Sequence, residues 1–105
     1  MIKTILFLYS LTLGSFKKNI INNEIYDLVE RIASHIETID DNEWKPLLTT
    51  PLEWRTKLVN GNYHAIRFQT DDSTSFCILV FESLKKEIEL VKYDPCINLT
   101  SFIDD

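Results

Sequence analysis

The sequence predicts an α+β fold: a single domain of N-terminal helices packed on an antiparallel meander of about three strands. Three observations carry that expectation. Apolar residues recur at three- and four-residue steps through Asn23–Ile39, the spacing of one helix face. The run Phe76-Cys77-Ile78-Leu79-Val80-Phe81 is apolar on both faces of a strand, which belongs inside a sheet covered above and below. Polar breaks then separate the strand-like runs of the second half at hairpin distances. At 105 residues, 45% hydrophobic and 26% charged, the chain is long enough for one buried core and too short for a second.

The opening stretch, Met1–Gly14, supports two readings. Lys3, the apolar body Ile5–Leu13 and the small residues ending at Gly14 resemble a short secretory signal. Tyr9, Ser10 and Thr12 interrupt that body, however. As a helix, Ile2, Ile5, Leu6, Tyr9 and Leu13 share a face and Gly14 caps it. The expectation is a retained core element, with a cleaved signal as the alternative. No apolar run reaches the roughly 18–20 residues that span a bilayer.

In Asn23–Ile39, Ile25, Leu28, Val29, Ile32, Ala33, Ile36 and Ile39 form the buried stripe, with Glu24, Asp27, Glu30, Arg31 and Glu37 mostly opposite. Asn22 or Asn23 can cap the first turn, whose positive end suits Glu24 and Asp27. Residues 40–49 connect onward. Thr50-Pro51-Leu52-Glu53 then carries a capping box with proline at the first helical position, predicting a short helix to about Val59, stopped by Asn60-Gly61.

Strands follow at Tyr63–Thr70 and Ser75–Glu82, joined by the polar turn Asp71-Asp72-Ser73-Thr74. In the second, Phe76, Ile78 and Val80 face one way and Cys77, Leu79 and Phe81 the other. A third strand is expected at Ile88–Tyr93, in preference to a helix over Ser83–Tyr93 with Leu84, Ile88 and Val91 on one face.

Cys77 reads as a small buried hydrophobe and Cys96, after Asp94-Pro95, as a loop residue. Two cysteines of such different surroundings suggest reduced thiols and a cytoplasmic protein, although a 77–96 bridge is geometrically open if the last two strands are neighbours. Asn98-Leu99-Thr100 matches a glycosylation sequon, which matters only in a secreted chain.

Catalytic and metal chemistry find little support. His35 lies on the polar side of the long helix and His64 opens a strand, read as an exposed helix histidine and a strand-edge histidine, and neither has a partner at motif spacing. Neither cysteines nor histidines have structural-zinc spacing, and Asp40-Asp41-Asn42-Glu43 lacks the central glycine of a calcium loop. There is no glycine-rich phosphate cradle, so no cofactor and no enzyme activity are expected. Arg55, Lys57 and Arg67 near Trp54, Tyr63 and Phe68 are the closest approach to a nucleic-acid surface. A net charge of −5 opposes it.

By elimination the sequence points to an acidic protein-binding module without nucleic-acid or membrane partners. Its most concrete form is an immunity protein or antitoxin that covers the active site of a basic toxin such as a nuclease. Carboxylates would steer the encounter and buried aromatics would slow release. The expected partner-binding residues are Glu37, Asp40, Asp41, Glu43 and Trp44, with Asp71 and Asp72 as a second patch. Trp54 is expected to pair with Leu58 on the short helix. A small acidic chaperone or adaptor holding an extended segment along a sheet edge is the alternative.

Overall fold

The computed structural model describes residues 15–39, 48, 50–70 and 74–104. Their order is β1 (Lys17–Asn19), α1 (Asn23–Ile39), β2 (Thr50–Leu58), β3 (Asn62–Gln69), β4 (Ser75–Glu82), β5 (Ile88–Cys96) and α2 (Leu99–Asp104). The strands form one antiparallel sheet in the order β1-β2-β3-β4-β5. The α+β class and the meander hold, but the sheet has five strands rather than three. The expected element at Met1–Gly14 lies outside the described residues.

α1 spans the predicted residues. The Asn22 Oδ1 accepts from the Glu24 N–H at 2.9 Å, satisfying one of the free donors of the first turn. Ile25, Leu28, Val29 and Ile32 are buried against Trp54, Ile66, Phe68, Phe76, Ile78 and Val80. The opposite face of the sheet buries Tyr63, Ala65, Cys77 and Leu79 under Phe16 and α2, through Leu99, Phe102 and Ile103. The both-sided burial expected of Ser75–Glu82 is thus observed, with α1 above β4 and α2 below.

The short helix predicted from Thr50 is strand β2. Its capping-box residues satisfied local helix rules, but the segment sits between β1 and β3 and exchanges backbone hydrogen bonds with both. Strand preference depends on neighbours more than helix preference does, and here the neighbours decide. The register slips at Leu52, between Pro51 and Glu53. That bulge accommodates a proline that cannot donate to the ladder. Asn60-Gly61 is therefore a hairpin turn, not a helix stop, with positive φ at both residues, 50° and 136°. β5 runs three residues beyond its predicted end, so Cys96 is a strand residue, and the strand reading of this segment prevails over the helix.

Cys77 and Cys96 form a disulfide with Cα atoms 5.8 Å apart, correcting the expectation of reduced thiols. The register explains it. Cys77 lies opposite Asp94 and Ser75 opposite Cys96, so the two cysteines are diagonal neighbours on adjacent strands.

Candidate functional site

Two features converge at one end of the sheet. Leu58, Asn62, Glu82 and Ile88 are aligned by the strand register, so the β2–β3 and β4–β5 turns project from the same end. In the first turn, the Val59 N–H donates to the Gly61 carbonyl at 2.9 Å. In the second, Ser83 holds the backbone: its Oγ accepts from Lys85 N–H at 3.2 Å and Glu87 N–H at 3.1 Å. The Ser83 N–H donates to the Glu87 carbonyl at 2.9 Å. Leu58 and Leu84 stand 78% and 70% exposed at these tips, with Lys85, Lys86 and Glu87 exposed beside them. Gly61 packs closely against the end of β4: a Cβ there would lie 2.6 Å from the Phe81 ring and 2.7 Å from the Glu82 carbonyl.

Directly behind the tips, a chain of polar side chains crosses the α1 face. The Trp54 Nε1–H of β2 donates to His64 Nδ1 of β3 at 3.1 Å, with the rings stacked 6.0 Å apart. His64 Nε2 and Glu82 Oε1 of β4 are 3.0 Å apart, and Arg31 of α1 donates to Glu82 Oε2 at 2.6 Å. An indole N–H can only donate, so Nδ1 must accept and the proton sits on Nε2. His64 is thus neutral and donates to an ionised Glu82. Burial holds the imidazole below its ordinary value despite the pull of Glu82. Burial alone would raise the Glu82 carboxyl, but the hydrogen bonds from Arg31 and His64 outweigh it and hold it low.

His64 is therefore neither exposed nor at a strand edge. Both of its nitrogens are engaged, and the bridged cysteines offer no thiolate for it to activate. The cluster has the chemistry of a brace: it locks three strands and α1 together beneath the projecting turns. On the other face the Tyr63 and Phe81 rings meet at 4.9 Å and close the same end.

The aromatics near Arg55, Lys57 and Arg67 do not form a stacking platform, because Trp54, Tyr63 and Phe68 are buried. Arg55 and Arg67 converge instead on Glu53, at 2.7 and 3.6 Å. Trp54 belongs to the core and the brace, not to a pair with Leu58.

Of the predicted partner-binding residues, Asp40, Asp41, Glu43, Trp44, Asp71 and Asp72 lie outside the described residues; Glu37 falls in the last turn of α1, its side chain likewise outside. On the outer side of α1, Glu24, Asp27 and Glu30 are exposed, and Tyr26 is 50% exposed one turn before Glu30. Leu58 and Leu84 were not among the expected site residues, because the β2–β3 hairpin that exposes Leu58 lies where the sequence predicts a helix. Among the described residues no group of three His, Cys, Asp or Glu side chains could hold a metal ion. No helix among them is long and apolar enough to cross a membrane. Comparison with protein-family models, curated proteins and solved structures gives no match.

Proposed function

We propose that this protein is an inhibitor that seats its two hairpin tips in the active-site cleft of a partner enzyme. One observation carries the reading: Leu58, which ends β2, and Leu84, in the β4–β5 turn, are both largely exposed at one end of the sheet. Large apolar side chains on a projecting, rigid edge complement a concave apolar surface, and anchors held in place before binding lose little entropy when they dock. The brace of Trp54, His64, Glu82 and Arg31 supplies that rigidity. Lys85 and Lys86 beside the tips favour an acidic rim around the cleft.

The immunity-protein form, with a basic toxin as partner, is supported by a different surface. Tyr26 and Glu30, one helical turn apart and both exposed, with Asp27 exposed on the same helix, are the aromatic-and-carboxylate combination that a basic protein would meet. For the chaperone alternative, edge docking is disfavoured: β1 is three residues long, and β5 carries a register slip and Pro95. On compartment, the Cys77–Cys96 bridge supports the secretory reading of the first 14 residues over the cytoplasmic one.

The test compares wild type with a Leu58→Asp/Leu84→Asp double variant. Each is used as bait in the native source, and the protein retained is purified and assayed. The reading requires a partner that loses its activity at one-to-one stoichiometry and binds the variant at least about thirtyfold more weakly, the scale of a single hot spot. A partner that stays active when saturated, or binds both baits equally, would sink it.

A further inference from the structure

Beyond the hairpin tips, the opposite end of the sheet carries a modification site, and we infer that Asn98 is N-glycosylated. The sequon Asn98-Leu99-Thr100 runs from the short connection after β5 into the first turn of α2, with Asn98 and Thr100 both exposed. Two residues earlier Cys96 is bridged to Cys77, and disulfides persist in the same oxidising compartments in which Asn-X-Thr is glycosylated. The sequon and the bridge are independent signs of one secretory route.

The geometry at Asn98 accommodates a glycan. Its Oδ1 accepts from the Ser101 N–H at 2.9 Å, capping α2. That bond fixes the amide so that Nδ2 is the atom left over. Glycosylation uses Nδ2 and keeps Oδ1 as an acceptor, so the cap survives the modification. In the transfer, Nδ2 forms a bond to the anomeric carbon of a lipid-pyrophosphate-linked oligosaccharide. The carbon–oxygen bond to the pyrophosphate breaks, the lipid pyrophosphate leaves with the electron pair, and one Nδ2 proton is released. In the folded chain Leu99 is buried and Thr100 is helical, so transfer precedes the docking of α2.

The position suits a permanent substituent. Neighbouring Ile97 is 86% exposed, an apolar side chain that a glycan would shield. The Gln69–Ser75–Cys96 register places this end away from the turns that carry Leu58 and Leu84, so the glycan leaves the tips free. The inference does not depend on the inhibitor reading.

The experiment expresses the full chain, with its own first 14 residues and no added leader, in a eukaryotic secretory host. The peptide containing Asn98 is then weighed. The expected result is an oligosaccharide mass on that peptide, removed by peptide N-glycanase with conversion of Asn98 to aspartate. Thr100→Ala, which spares the cap, and Asn98→Gln should each abolish the added mass, while Thr100→Ser retains it. The Leu58→Asp/Leu84→Asp variant should be modified like wild type. An unmodified Asn98, whether the chain is secreted or kept in the cell, overturns the inference. So does a mass that persists in Thr100→Ala.

Discussion

The two faces of the sheet are covered by different means. On one, the 17-residue α1 lays Ile25, Leu28, Val29 and Ile32 across three strands, and is long enough to bring Arg31 over a buried carboxylate. On the other, α2 has six residues, too few to persist as a helix by itself. It is held instead by its surroundings. Leu99, Phe102 and Ile103 are buried, Asn98 caps its start, and Lys92 donates to the Phe102 carbonyl while lying over the Phe102 ring. The disulfide anchors the strand that leads into it. A long cover can rest on packing and even enclose polar groups; a short one depends on restraints at its root.

The comparison is broken most severely on the α1 face. Phe68 is fully buried in that core, and Phe68→Ala should cost about 4 kcal/mol, read as a fall in the urea midpoint at constant slope. A loss below 1 kcal/mol would mean that α1 does not rest on this layer. The bridge comes next. Cys77→Ala/Cys96→Ala should cost about 3 kcal/mol, on the scale for loops of this length, with amide-exchange protection falling first in α2. Uniform loss of protection across both helices would remove the distinction between the faces.

The polar brace sharpens the contrast through pH. Glu82→Gln leaves a single acceptor oxygen where Arg31 and His64 both donate, and Trp54 prevents His64 from reversing its tautomer. The cost should be about 2 kcal/mol at neutral pH. Because burial depresses the folded His64 below its ordinary 6.5, the unfolded chain takes up that proton first. The His64 contribution is therefore intact above about pH 6.5 and declines as the pH falls through the lower folded value. Stability measured at pH 7.5 and 5.5 should drop on acidification, and a His64→Phe variant should show a flatter profile. Equal slopes in the two proteins would place the pH dependence elsewhere.

Much of this architecture was legible in the residues, and the exceptions have physical causes. α1 and β4 announce themselves because their apolar spacing is local and complete. β2 was misread because Thr50, Pro51 and Glu53 satisfy helix-start rules within four residues, while the strands that claim the segment lie elsewhere in the chain. α2 left a signal that went unused: Leu99, Phe102 and Ile103 at three- and four-residue spacing behind a capping asparagine. The brace left none, since Arg31 and Glu82 are 51 positions apart and meet only after three strands have paired. The exposure of Leu58 and Leu84 likewise follows from the turns, not from their type.

The margins of the sheet bear on how the protein behaves when crowded. A free strand edge is a template onto which another chain can add, and repeated addition builds fibres. β1 offers three residues, two of them lysines. β5 is longer, but its register slips past Val91, and Pro95 has no N–H to contribute. Neither border of the described sheet is a straight, fully donating row. With such borders the described sheet is a poor template for edge-to-edge addition of another copy.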